Sequence, residues 1–117
     1  MPRRQEPDAF AASVGARIRQ LREAAGLTGE KLAYESDLGS KGHLSSIERG
    51  LVRPTIETLR VLAERLGCLP LDLVTFPDVD VRQAFIERTR TMPISALRKL
   101  AKELGVSLPA KRRRAKL

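Results

Sequence analysis

Gly29-Glu30-Lys31-Leu32-Ala33-Tyr34-Glu35-Ser36, then Asp37-Leu38-Gly39-Ser40, then Lys41-Gly42-His43-Leu44-Ser45-Ser46-Ile47-Glu48-Arg49, closed by Gly50, is the stretch on which the fold turns. Thr28 and Ser40 stand just ahead of the two longer runs, where a hydroxyl can accept the orphan N–H groups of a helix's first turn. Leu32 and Ala33 give the first run an inward edge, and Leu44 and Ile47 do the same for the second. Residues 37–40 read as a turn by composition. The stretch therefore predicts two short helices, 29–36 and 41–49, joined tightly. At 100° per residue Leu44 and Ile47 point into a core with Glu48 near them, whereas Gly42, Ser45, Ser46 and Arg49 point away.

Working outward, residues 8–25 predict a helix with Phe10, Val14, Ile18 and Leu21 on its apolar side and Arg17, Arg19, Gln20 and Glu23 between them, stopped by Gly26. Pro54 disfavours helix at Arg53, so 51–54 is an extended connector. Thr55 caps a fourth helix with Ile56, Leu59, Leu62, Ala63 and Leu66 on one face, and Gly67 closes it. A turn of helix at 70–74 starts on Pro70. Beyond it the pattern predicts a helix from Asp78 to about Thr91, an interruption at Pro93, and a last helix capped by Ser95. That last helix carries the stripe Leu97, Leu100, Ala101 and Leu104 before Gly105. No repeat and no convincing strand alternation occurs, so the expected class is all-α.

Composition agrees. The 117 residues suit one small domain, and only Phe10, Tyr34, Phe76 and Phe85 are aromatic, which leaves the core to Leu, Ile, Val and Ala. Cys68 stands alone and His43 is the sole histidine, so neither a disulfide framework nor a metal cluster is expected, and no cofactor. A lone cysteine fits a reducing, cytoplasmic address, and no apolar run approaches the roughly 20 residues of a membrane span. Of the net charge of +8, Lys111 to Lys116 supply five and Arg3-Arg4 two, leaving the rest nearly neutral. The basic end is either a solvated tail or a contact to an anionic polymer.

Two short helices joined by a turn, the second with small polar residues outside, form the arrangement that lays a helix in the DNA major groove. Lys41 and His43, at that helix's start, would reach forward to base edges. The residues Ile18-Arg19-Gln20-Leu21-Arg22-Glu23-Ala24-Ala25-Gly26-Leu27-Thr28, Lys31-Leu32-Ala33, Leu44-Ser45-Ser46-Ile47-Glu48-Arg49-Gly50, Pro54-Thr55 and the run Leu59 to Leu66 resemble the lambda-repressor and Cro-like helix-turn-helix family, also called the xenobiotic response element family. The resemblance spans residues 13–75 and implies a five-helix lambda-repressor-like DNA-binding domain, here at 8–76. It implies base contacts by Lys41, Gly42, His43, Ser45 and Ser46, backbone contacts by Thr28, Lys31, Arg49 and Arg53, and an ion pair of Arg22 with Glu48. The pair has its own physical reason, since a carboxylate on the inward arc is costly without a partner. Gly29 departs from the family, which often has Gln there, and the turn is one residue longer, with Gly39 the candidate extra residue. As ordinary solvated groups, Lys41, Arg49, Arg53 and His43, which lies on the flank of the outward arc, would instead need no DNA.

Residues 78–105 are expected to form a helical extension and 106–117 a basic, flexible tail. The extension holds more apolar residues than water tolerates, so it either builds a homodimer interface through Leu97, Leu100, Ala101 and Leu104 or packs back on the first and fifth helices. Two functions compete. One is a transcriptional regulator, a dimeric repressor on a palindromic double-stranded DNA operator; the other is an antitoxin-type module that neutralises a protein partner through 78–105 and autoregulates its operon. An enzyme is not expected, because the sole histidine lies on the expected DNA face and no carboxylate pair stands out.

Overall fold

The computed structural model describes residues 6–107, and Arg3, Arg4 and the basic run from Lys111 to Lys116 lie outside them. The described residues form seven helices and no strand: α1 (Ala9–Ala24), α2 (Gly29–Glu35), α3 (Lys41–Glu48), α4 (Ile56–Leu66), α5 (Pro70–Leu73), α6 (Val81–Arg90) and α7 (Ile94–Glu103). The first four begin on a side-chain cap. Asp8 accepts from Ala11 N–H, Thr28 from Lys31 N–H, Ser40 from His43 N–H and Thr55 from Thr58 N–H. These bonds satisfy donors that a helix cannot reach internally.

α2 ends with Leu38 N–H donating to Ala33 C=O and Asp37 N–H to Tyr34 C=O, the paired bonds of a Schellman motif. Asp37 fills its left-handed position with φ 54°, and Gly39 follows with φ 81°. The chain thus takes two left-handed residues between α2 and α3, and Leu38 between them packs on the core. The motif needs only the first, and the second falls at Gly39.

Val14, Ile18, Leu21, Leu32, Ala33, Leu44, Ile47, Val52, Leu62, Ala63 and Leu73 form one buried cluster at the meeting of α1 to α5. Backbone as well as side chains set its geometry. A Cβ on Gly15 would overlap Ile47 O and lie 2.6 Å from Glu48 O, and one on Gly50 would lie 2.6 Å from Ala12 Cα. α1 and α3 can approach this closely only because both positions lack a side chain.

Several expectations are corrected. Phe10 is largely exposed and touches Phe76 edge to face, with ring centroids 5.8 Å apart, because it lies at the open first turn of α1. Ile56 is exposed rather than on the buried face, since α4 turns only its later residues to the core. Asp80, not Asp78, caps α6, after a turn at 77–79. α7 starts one residue before Ser95, behind Pro93, with no side-chain cap. Neither α6 nor α7 contains a buried residue, and α7 makes no extensive contact with another helix.

Candidate nucleic-acid interface

α3 is held from behind and along one flank. It packs on both α1 and α2, and Leu44 and Ile47 are buried. Ser46 is 1% exposed, and its hydroxyl donates to Gly42 C=O at 3.0 Å, so the expectation that Ser46 points outward is corrected. A wheel drawn for a single apolar stripe does not show the wider burial of a helix with two neighbours. Leu51 N–H, donating to Ser46 C=O, folds the following chain back under the same end of the helix.

The remaining expected base contacts gather at the start of α3. Lys41, Gly42 and His43 are exposed, and Ser45 is half-buried. A Cβ on Gly42 would meet nothing closer than Ser40 Oγ at 3.8 Å, so no neighbour in the fold requires a glycine there. Thr28, Lys31, Arg49 and Arg53, the expected backbone contacts, are all exposed. Thr28 spends one hydroxyl lone pair on the α2 cap. Lys41 Nζ stands 3.6 Å from Glu30, and Arg53 donates to Asp8 at 3.1 Å, whereas Arg49 makes no ion pair among the described residues. Both pairs are at the surface and weak enough to exchange for a phosphate.

Arg22 ties this helix to the core. Its Nε lies 2.7 Å and its Nη2 3.1 Å from the two oxygens of Glu48, and its Nη1 donates to Leu27 C=O at 2.9 Å. The hydrogen bond to Glu48 raises the guanidinium pKa further, so the charge is permanent. A two-pronged bond of this kind fixes angle as well as distance.

A second buried arginine escaped the sequence reading. Arg17 was expected among the polar residues of α1, yet it is 3% exposed. Its Nε donates to Asp72 C=O at 3.0 Å, and Nη1 donates to Gln20 at 2.8 Å and to one Glu87 carboxylate oxygen at 3.0 Å, while Nη2 lies 3.0 Å from the other oxygen as an ion pair without a hydrogen bond. Arg90 holds the same carboxylate at 2.6 Å. With Arg17 foremost, these bonds push the Glu87 carboxyl down to about 2. Burial, with the charge of Asp72 behind it, pushes the nearby Cys68 thiol up to about 11, which makes it a poor nucleophile at neutral pH. The signal was present in the sequence: Arg17 occupies the same helical arc as Val14 and Leu21, three and four residues away.

Among the described residues no cluster of His, Cys, Asp and Glu could hold a metal ion, and no helix is long and apolar enough to cross a membrane. Residues 13–75, which run from within α1 past the end of α5, match the helix-turn-helix domain family. The chain belongs to that family. It is a DNA-binding transcriptional regulator of the lambda-repressor and Cro-like kind, which is not an enzyme class. Among its curated relatives are an uncharacterized HTH-type transcriptional regulator, y4dJ, of Sinorhizobium fredii, and the control protein C.BamHI of Bacillus amyloliquefaciens. The first is 43% identical over 65 residues, covering 56% of this chain and 83% of the relative. The second is 33% identical over 66 residues, covering 56% of this chain and 80% of the relative. No solved structure matches. This helix-turn-helix protein carries α6 and α7 beyond the stretch that the family matches.

Proposed function

We propose that the protein is a dimeric repressor that reads a palindromic operator with α3 and occludes the promoter by binding. The observation that carries this reading is the open front of α3, where Lys41, Gly42 and His43 are exposed and Gly42 has space that no neighbour in the fold uses. A helix that must lie close to base edges needs short side chains on that side. Lys41, His43 and Ser45 are the base-reading side chains, and Gly42 lets the helix approach. Thr28, Lys31, Arg49 and Arg53 grip phosphates on either flank. Ser46 has no part in base reading, because its hydroxyl is buried and spent on Gly42.

The two-fold partner is a second copy joined through Leu97, Leu100, Ala101 and Leu104. Ile94 and Leu104 are 62% and 58% exposed, and the other stripe residues are only half-buried, an apolar face that water does not favour. Two modules one helical turn apart also recover the affinity that one module lacks. Footprinting on the protein's own upstream region, with sedimentation in parallel, tests both halves. A protected palindrome and a dimer are expected, and Leu97→Asp with Leu100→Asp gives a folded monomer that binds far more weakly. A protein that protects no DNA, or a double variant that remains dimeric, overturns the corresponding half.

A further inference from the structure

The firmest attachment of the C-terminal extension to the DNA-binding module is an ion pair. Arg17 comes from the middle of α1 and Glu87 from α6, seventy residues later, and the guanidinium is almost wholly enclosed. Both Nη atoms face the two carboxylate oxygens, while Nε is anchored to Asp72 C=O at the end of α5. Gln83, one turn earlier on α6, accepts from Phe76 N–H at 2.7 Å. α6 is therefore pinned at two places on one side, and nothing on it is buried that would hold it by apolar packing alone. Nε bonds Asp72 C=O and Nη1 bonds Gln20 and Glu87, so the plane of the guanidinium is fixed from different sides, which a lysine in the same place would not do. α7, beyond the turn at Thr91, makes no extensive contact with another helix, so its direction follows largely from α6.

Resting on the dimer reading above, we infer that Arg17 and Glu87 are positioning residues that set the spacing between the two operator half-sites by fixing the angle at which the extension leaves the DNA-binding module. The leverage is large. The ten residues of α7 run about 15 Å, so a tilt of about 20° at its root moves its far end by about 5 Å. That exceeds the ~3.4 Å rise of one base pair, the unit in which half-site spacing is counted.

The test uses the full chain and synthetic duplexes. The half-site selected by the wild type from a random DNA pool is placed in two inverted copies, with centre spacing stepped through one helical turn. Wild type should prefer one spacing over that half a turn away by about tenfold, because the second module then binds within reach of the first. Glu87→Gln should reduce the ratio below about threefold while single half-site affinity stays within about twofold and the protein still sediments as a dimer. Arg17→Lys, which keeps the charge and loses the anchoring of the guanidinium plane by Asp72 C=O and Gln20, should fall between. Arg88→Ala, an exposed change on the same helix, should retain the wild-type ratio. If dimeric Glu87→Gln keeps the wild-type ratio, the inference is wrong and the dimer reading stands. If the wild type is monomeric or indifferent to spacing, both fall. Loss of half-site binding or of the dimer in Glu87→Gln would make the pair a general prop, which equally overturns a positioning role.

Discussion

Replacing Arg22 with alanine should be among the most destabilising single changes in the helix-turn-helix module. Three hydrogen bonds go with it: two to the Glu48 carboxylate and one to Leu27 C=O, which sits in the turn between α1 and α2. The side chains of Arg22 and Glu48 are 14% and 9% exposed, so water cannot rehydrate the carboxylate left behind without opening the α1–α3 contact. Breaking one side of such a buried pair costs about 3 kcal/mol, most of it the penalty on the orphaned charge. In a domain of this size that lowers the melting temperature by about 12 °C. Circular dichroism melts of wild type and Arg22→Ala measure it directly. The companion Arg22→Met with Glu48→Leu should regain most of the loss, because no charge is then stranded. A melting temperature within about 2 °C of wild type for Arg22→Ala would refute the reasoning, since it would mean that Glu48 is already solvated.

Three further outcomes are expected. Gly15→Ala drives a methyl group into the backbone oxygens of Ile47 and Glu48, and its urea midpoint should fall by the equivalent of about 2–3 kcal/mol. Gly42→Ala meets open space, so it should stabilise the fold by roughly 0.5–1 kcal/mol through helix propensity while weakening operator binding; stability and affinity rising together would remove the close approach assigned to that side. Glu87 is held down to about 2 by Arg17 and Arg90, below an ordinary carboxyl of 4.5, so its contribution is complete above that ordinary value and fades as pH falls from there towards 2. In urea titrations the gap between wild type and Glu87→Gln, at most about 3 kcal/mol at neutral pH, should shrink steadily below pH ~4.5.

Local signals carried much of the architecture. Thr28, Ser40 and Thr55 announced three helix starts because a cap is a short-range bond within four residues, and all three make it. The extension was harder for the same reason. Asp78 and Asp80 are both plausible caps in the sequence, and only the turn at 77–79 selects the second. Ser95 lost its role to Pro93, whose fixed backbone starts α7 without a side-chain bond. Burial misled where an element has two neighbours or none: Ser46 is buried on a helix that packs on both α1 and α2, and Phe10 and Ile56 lie in apolar patterns that run past the edge of the core. Arg17 shows the limit most plainly. Its carboxylate partner lies seventy residues away, and no periodicity links the two.

The way α3 is held has a consequence for how this protein can change. Its seat is made of groups that face backwards or are not side chains at all: the bare backbone at Gly15 and Gly50, the Arg22–Glu48 fork, and the folded-back bond from Leu51. Lys41, Gly42 and His43 are exposed in front of it, Lys41 touching α2 only through a surface pair with Glu30, and Ser45 is half-buried. The front of the helix is therefore a replaceable cassette on a fixed mount. Substitutions there, in nature or by transplanting the positions from another member of the family, should change stability by little more than helix propensity, so on the reading proposed above the bases contacted can drift while the fold beneath stays the same.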